Sequence, residues 1–173
     1  MKKENPMREV RLEKVTLNIG CGKSAEKLEK GAKVLAELTG RQPVKTITKK
    51  RIPSWGIRPG LPIGLKLTVR GRAAAELLNR CLEAVDHELP PSAFDERGNV
   101  AFGIPEQIDI PGMSYSPEIG ILGLQLCVTL CRPGFRVLRR RAAAAIPARH
   151  RIGREEAIAF MAKTFGLRLK ESA

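Results

Sequence analysis

The chain has 173 residues, of which 43% are hydrophobic, and a formal net charge of +13. This length predicts one domain with a real core, and the hydrophobic content argues against a disordered chain. No apolar run approaches about 18 residues, and the basic start of the chain lacks an apolar stretch. We therefore expect neither a transmembrane helix nor a signal peptide.

Charge is segregated along the chain. Residues 41–75 contain nine Lys or Arg and no acid, residues 76–131 contain two basic and nine acidic residues, and residues 132–154 contain eight arginines and no acid. Ordinary surface charge mixes the two signs, whereas separate basic blocks are typical of a protein that binds a polyanion. The basic blocks lack a strongly amphipathic helix, so nucleic acid is favoured over a membrane surface.

Hydrophobic periodicity predicts both strands and helices. The clearest strand, 63–70, places Leu65 and Leu67 on one face and polar residues on the other. The clearest helix, 72–85, carries a continuous apolar stripe. In chain order, the predicted elements are a strand at 11–19, a helix at 25–39, strands at 43–48 and 63–70, a helix at 72–85, a short strand after a turn at 95–99, a strand at 122–130 and a helix at 154–165.

These elements predict an α+β fold in which an antiparallel or mixed sheet is covered by helices on one face only. The strands have one apolar face each, and the helices have one apolar stripe each. The other face of the sheet, here called the open face, has a composition that suits phosphates and sugar hydroxyls better than a core. The residues expected on it include Lys14, Thr16, Asn18, Lys66, Thr68 and Arg70.

The stretch "LNIGCGKS" at 17–24 resembles a phosphate-binding loop in its local sequence. A Walker A loop would need a glycine where Leu17 stands. A dinucleotide-binding fingerprint tolerates Ala25 at its third position, but the acidic residue expected about 20 residues later is missing. The glycines are better explained by a tight turn into a helix that has Ser24 as its N-cap.

Residues with catalytic or metal-binding chemistry are sparse and scattered. The cysteines form no C-x-x-C pair and lie far in sequence from both histidines, so no metal site is expected. Reduced, partly buried thiols are the expected state. No catalytic motif is present, so the sequence predicts a non-enzymatic protein without a cofactor. The residues concerned are Cys21, Cys81, Cys127, Cys131, His87 and His150.

A basic loop is predicted at about 49–63, "KKRIPSWGIRPGLPI", with four cationic residues and the only tryptophan of the chain. Its glycines and prolines indicate a segment without regular structure. Trp55 has two explanations at this stage. It anchors the loop to the core, or it forms an exposed tip that stacks or packs on RNA.

Five stretches, taken in order, resemble one known family. They are "NPMREVRLEKVTLNIGCGKS", "LTGRQPVKTITKK", "GIRPGLPIGLKLTVRG", "FDERGNVAFGIPEQIDIPG" and "RPGFRVLRRR". Together they are similar to the universal large-subunit ribosomal protein number five, a family that binds 5S ribosomal RNA, and to its archaeal and eukaryotic-type branch. The resemblance covers roughly residues 5–170.

The resemblance implies a structural, non-enzymatic constituent of the large ribosomal subunit in the cytoplasm, with an RRM-like antiparallel sheet. The implied role is to help attach 5S ribosomal RNA in the central protuberance. The implied partners are 5S ribosomal RNA, large-subunit ribosomal RNA, neighbouring large-subunit proteins, the P-site tRNA and a protein of the small-subunit head, which would make an intersubunit bridge. No membrane, small-molecule substrate or cofactor is implied. A free RNA chaperone or translation regulator with the same sheet remains the alternative.

Residue roles carry over only where the motifs match. Asn18, Gln42 and Thr68 stand at polar positions that contact RNA in the family, and Arg11 stands at a basic position of the same face. The complete expected set for ribosomal RNA is Arg11, Lys14, Thr16, Asn18, Gln42, Lys45, Lys66, Thr68, Arg70, Arg139, Arg140 and Arg141.

The basic loop corresponds to the family's mobile loop that reaches the P-site tRNA, with Trp55 at the aromatic tip position. The Arg-rich segment 132–154 corresponds to a C-terminal arm. Two features depart from the family pattern: Pro53 stiffens the loop, and Ala142–Ala145 replaces a more cationic stretch, which weakens an RNA role there. The residues expected to meet tRNA are Arg51, Ile52, Pro53, Ser54, Trp55, Gly56, Ile57, Arg58, Pro59 and Gly60.

Overall fold

The computed structural model describes residues 5–170. Within this range there are three α-helices and seven β-strands. In chain order they are β1 (Arg11–Gly20), α1 (Ala25–Thr39), β2 (Val44–Ile47), β3 (Pro62–Val69), α2 (Arg72–Glu83), β4 (Glu88–Leu89), β5 (Val100–Ile104), β6 (Leu124–Cys131), α3 (Arg154–Phe165) and β7 (Arg168–Leu169). None of the helices in the described range is long and apolar enough to cross a membrane.

Five strands form one antiparallel sheet in the spatial order β2–β3–β1–β6–β5. The first strand of the chain therefore lies in the middle of the sheet, paired with β3 on one side and β6 on the other. The predicted α+β fold with an antiparallel sheet is confirmed. β4 and β7 form a separate two-stranded parallel sheet. The sequence does not predict this pair, because two residues per strand are too few to show a periodicity.

One face of the five-stranded sheet carries the hydrophobic core. Leu17 and Leu126, on neighbouring strands, are both fully buried there. Each of the three helices contributes to the same cluster, with Leu35 from α1, Leu78 from α2 and Met161 from α3. Because all three helices pack on this side, they leave the opposite face of the sheet uncovered. This is the one-sided arrangement that the sequence predicts.

The ends of α1 are set by the two capping residues that the sequence predicts. The hydroxyl of Ser24 accepts a hydrogen bond from the backbone N–H of Lys27 at 3.3 Å, which satisfies a free amide of the first turn. Gly40 adopts a φ of 67° and donates its N–H to the carbonyl of Ala36 at 2.7 Å, which ends the helix.

The stretch "GCGKS" forms the turn between β1 and α1. Gly22 adopts a φ of 60°, a conformation that favours glycine. The backbone N–H groups of Cys21 and Gly22 both donate to the carbonyl of Ile63, at 2.9 and 3.1 Å. These amides are occupied inside the protein, so they cannot form the run of free N–H groups that a phosphate-binding loop needs. The turn is structural, as predicted.

Candidate nucleic-acid interface

The pairing register places the predicted polar residues in rows across the open face. Asn18 on β1 lies opposite Lys66 on β3 and opposite Gln125 on β6. The same row extends to Val44 on β2 and Gly103 on β5. Because directly paired residues share a face of the sheet, one line of residues crosses all five strands, with Asn18 at its centre.

Two further rows follow along the strands. Thr16 lies opposite Thr68 on one side and Cys127 on the other. Lys14 lies opposite Thr129 and starts the next row. All five of these residues are partly exposed, and they alternate with buried residues along each strand, except that Glu13 beside Lys14 is also partly exposed. The structure therefore brings the polar residues predicted on β1 and β3 to one surface.

Arg11 reaches the open face through a β-bulge. Strict alternation would place Arg11 on the core side together with Val15. The pairing with β6 shifts between Leu12 and Lys14, and this shift puts Arg11 opposite the open-face residue Cys131. An extra residue in one strand has this effect because it reverses the alternation beyond the bulge. Arg11 is exposed there, and its guanidinium forms an ion pair with the exposed Glu9 at 2.6 Å, so an RNA phosphate would have to replace that carboxylate.

Three other predicted residues lie at or beyond the edge of the open face. Lys45 pairs with the buried Leu65, so its exposed side chain lies on the core side of the edge strand and not among the open-face residues. Arg70 comes directly after the end of β3 and is exposed. Gln42 precedes β2 and is also exposed.

Gln42 contributes to a shallow pocket where β2 and β3 meet the open face. The pocket has a volume of about 380 Å³. The exposed Val44 gives it an apolar wall, and two cations and two uncharged polar side chains surround this wall, a combination that suits a base with its ribose and phosphate. Arg41 and Val44 were not predicted as contact residues, although both lie within two residues of the predicted Gln42. The lining residues are Arg41, Gln42, Val44, Lys66, Leu67 and Thr68.

The polar side chains at the centre of the open face are not used inside the protein. Within the described part of the chain, Thr16, Asn18 and Thr68 form no side-chain hydrogen bond, and Lys14 and Lys66 form no ion pair. Covering such groups costs little when a partner supplies the missing hydrogen bonds, and costs more when it does not. The open face therefore presents free donors and acceptors suited to phosphate oxygens and 2′-hydroxyls.

Charge is uneven across the open face. The part formed by β2, β3 and β1, here called the basic half, carries Lys14 and Lys66. The part formed by β6 and β5 presents Gln125 and small or uncharged residues, and the turn before β5 adds Asp95 and Glu96 beside a groove of about 690 Å³. A polyanion is attracted to the basic half and disfavoured at the acidic edge.

The predicted basic loop joins β2 to β3 over residues 48–61 and is closed by backbone hydrogen bonds. At its base, the N–H of Thr48 donates to the carbonyl of Leu61 at 3.0 Å. Farther out, Ile52 and Ile57 exchange both of their backbone hydrogen bonds, each at 3.0 Å. The loop is therefore a hairpin-like projection. As predicted, the loop contains no strand and no α-helix; one isolated bridge and one short helical turn close it, and neither leaves a periodic pattern in the sequence.

The tip of the basic loop is the single helical turn Pro53–Trp55. Pro53 fixes the backbone angle at the start of this turn, and Gly56 ends it with a φ of 58°. Trp55 is 66% exposed, whereas Ile57 is 7% exposed. Ile57 therefore anchors the loop, and the alternative in which Trp55 is a core anchor is wrong.

The Arg-rich segment 132–154 is packed on the domain and is not a free arm. Arg132 is buried, and its guanidinium lies 2.7 Å from a carboxylate oxygen of Glu156 on α3. The rings of Phe135 and His150 meet edge to face with centroids 5.8 Å apart. Ile152 is 2% exposed. These contacts attach the segment to α3 and to itself.

The three consecutive arginines of this segment have different surroundings. Arg139 forms an ion pair with Glu13 on β1, whose side chain is only 13% exposed. Arg140 and Arg141 are exposed and form no ion pair with any residue in the described range. Two of the three predicted arginines are therefore free for phosphate contacts, while Arg139 ties the Arg-rich segment to the central strand.

Among residues 5–170, no group of three or more His, Cys, Asp or Glu residues could hold a metal ion. All four cysteines are free thiols. Burial raises the pKa of Cys81 to about 12. Burial, and then the nearby Glu13 carboxylate, raises the pKa of Cys131. Neither of these two thiols is activated as a nucleophile.

Three features together define a class of protein. The sheet has one uncovered face, one half of that face is rich in cations, and the basic loop carries an exposed aromatic residue. These are the features of an RNA-binding protein whose work is contact rather than catalysis.

Comparisons with known proteins assign this RNA-binding protein to a family. The family model described as "Ribosomal protein L5" matches residues 5–58, and the model for the C-terminus of the same ribosomal family matches residues 62–160. Proteins named "Large ribosomal subunit protein uL5" are similar over nearly the whole chain. The one from Sulfurisphaera tokodaii is 53% identical over 169 residues, which is 96% of each chain. The chain belongs to the L5 family of ribosomal proteins.

Two further relatives agree with this assignment. The protein of the same name from Sulfolobus acidocaldarius is 51% identical over 171 residues, covering 98% of this chain and 96% of the relative. That from Nanoarchaeum equitans is 51% identical over 168 residues, covering 96% and 99%. The family and its archaeal branch are those that the sequence motifs resemble. The L5 family is a structural, non-enzymatic component of cytoplasmic ribosomes.

Proposed function

We propose that this chain binds 5S ribosomal RNA through its open face and helps to attach that RNA in the central protuberance of the large subunit. The observation that carries the proposal is the row through Lys66, Asn18 and Gln125, whose side chains are exposed or partly exposed and form no hydrogen bond or ion pair within the described range. The lysines of the basic half supply charge for backbone phosphates. The amides and hydroxyls supply hydrogen bonds to sugars and base edges, which fix orientation.

We also propose that the basic loop contacts the P-site tRNA. Its tip is closed by backbone pairing, so Trp55 is held in an exposed position before any partner arrives. A held aromatic ring loses little freedom when it packs on a nucleotide. Arg51 and Arg58 flank the tip and supply charge for the neighbouring phosphates.

Replacement of Trp55 by alanine tests the role of the loop. Because Trp55 buries little surface in the domain, Trp55→Ala subunits should assemble normally and hold P-site tRNA less tightly. The loss of one stacking contact predicts a decrease of about 1–3 kcal/mol in tRNA binding. Failure of the variant to enter the large subunit would contradict this role.

The remaining proposed partners are large-subunit ribosomal RNA, neighbouring large-subunit proteins and a protein of the small-subunit head. Arg140 and Arg141 are exposed cations suited to large-subunit ribosomal RNA. The family resemblance supports two further contacts. One is with neighbouring large-subunit proteins, and the other is with a protein of the small-subunit head across an intersubunit bridge.

Co-purification tests the central proposal against the alternative of a free RNA chaperone or translation regulator. RNA bound to the tagged full chain should be dominated by 5S ribosomal RNA when it is sequenced. The chain should also stay with large subunits in a sedimentation run after a high-salt wash. A broad mixture of RNAs, together with loss of the chain from washed subunits, would favour the free regulator.

A further inference from the structure

Lys23, from the "GCGKS" turn, lies against the tip of the basic loop. A Cβ added to Gly56 would lie 2.6 Å from Cε of Lys23, so the lysine side chain passes directly over the Gly56 backbone. The turn and the loop are held together at their bases, because Cys21 and Gly22 donate their amides to the carbonyl of Ile63 at the start of β3. Residues far apart in the sequence therefore form one surface beside Trp55.

The charges on this surface form no ion pair with any residue from 5 to 170. Lys23 is exposed and forms no ion pair with any residue in the range 5–170. The loop beneath it adds four more cations between residues 49 and 58 and contains no acid. Like charges gathered in this way repel each other, and an anion shared between them removes that repulsion. On an RNA surface, the shared anion is a backbone phosphate.

We infer that Lys23 belongs to the RNA-contact surface of the basic loop and that its ammonium group binds a phosphate of the RNA that Trp55 meets. This inference rests on the proposed function of the loop. Gly56 favours the arrangement, because a Cβ there would push aside the flexible end of the lysine side chain and because a φ of 58° disfavours residues other than glycine.

Three variants separate the charge of Lys23 from its packing. Lys23→Met removes the charge and keeps a linear side chain over Gly56, whereas Lys23→Ala removes both. Lys163→Met is the matched control, because Lys163 is an exposed lysine in the last turn of α3. P-site tRNA retention is measured over a salt series on ribosomes that contain each variant. Binding of 5S ribosomal RNA is measured with the isolated full chain.

The expected result is a specific change in salt dependence. For tRNA, Lys23→Met should reduce the slope of log K against log salt by about 0.7–0.9, the value for one phosphate contact. The control should keep the wild-type slope, and the affinity for 5S ribosomal RNA should not change. A slope that falls for 5S ribosomal RNA and not for tRNA would place Lys23 on a different RNA from Trp55 and would contradict the inference.

Two other results would also overturn the inference. One is an unchanged slope for both RNAs in Lys23→Met. The other is wild-type binding by Lys23→Met with weaker binding by Lys23→Ala, which would show that the side chain only supports the loop. Trp55→Ala distinguishes this failure from failure of the loop proposal. If Trp55→Ala loses tRNA and Lys23→Met does not, the inference alone fails; if Trp55→Ala retains tRNA normally, the loop proposal fails.

Discussion

Replacement of Asn18 by alanine tests the open face at its centre. Asn18 lies on the middle strand between Lys66 and Gln125, and its side chain forms no hydrogen bond within the described range. β1 is held by backbone pairing on both sides, which alanine preserves. We therefore expect the free energy of unfolding to change by no more than about 0.5 kcal/mol.

The effect of Asn18→Ala on RNA binding should be much larger. The amide of Asn18 can both donate and accept, and its removal leaves a covered RNA group without a partner. An unsatisfied group of this kind costs about 1–3 kcal/mol. This cost corresponds to an increase of about 5- to 150-fold in the Kd for 5S ribosomal RNA.

The assay combines titration of 5S ribosomal RNA at one fixed salt concentration with chemical unfolding of the same protein samples. Asn79→Ala is the matched control, because Asn79 is an exposed amide on α2, on the helical side of the sheet. Asn18→Ala that binds as tightly as the wild type would refute the assignment of the open face. A loss of folding stability as large as the loss of affinity would assign the effect to the fold instead.

Two further predictions concern the same sheet. Cys127, half-buried on the open face opposite Thr16, should react with a maleimide in the free protein and be protected by 5S ribosomal RNA. The fully buried Cys81, with a pKa of about 12, should stay unreactive in both states. Equal reaction rates for Cys127 with and without RNA would place the RNA elsewhere. Gly64→Ala should destabilise the fold by about 1–3 kcal/mol in chemical unfolding, because the new Cβ would lie 2.7 Å from the carbonyl oxygen of Ile19. Gly103→Ala, with nothing within 4 Å of its Cβ, is the control, and equal stability of the two variants would contradict the argument.

The sequence predicts the three helices and the strands β1, β3, β5 and β6 well, because each has one apolar face. Alternation along β1 separates Leu17 from Thr16 and Asn18, and the pairing register then gathers the polar residues on one surface. The bounds of α1 were also predicted, since Ser24 and Gly40 are capping residues with clear local chemistry.

Features that depend on contacts between distant segments were not predicted. Alternation alone does not place Arg11 on the open face, because a bulge reverses the pattern. The face of the sheet on which Lys45 and the other β2 residues lie depends on how β2 pairs with β3. A strand of four residues does not reveal this pairing. The packing of the Arg-rich segment depends on the Arg132–Glu156 pair, whose partners are far apart in the sequence.

The central place of β1 has a consequence for the order in which the protein becomes functional during synthesis. Val15 pairs with Val69 on β3 and with Val128 on β6, so β1 leaves the ribosome first and receives its second neighbour only after most of the chain has followed. Until then its β6-facing edge has no partner and is prone to mispairing. The surface that we propose for 5S ribosomal RNA is therefore completed late, and a nascent chain that stops before β6 should bind that RNA more weakly than the full chain.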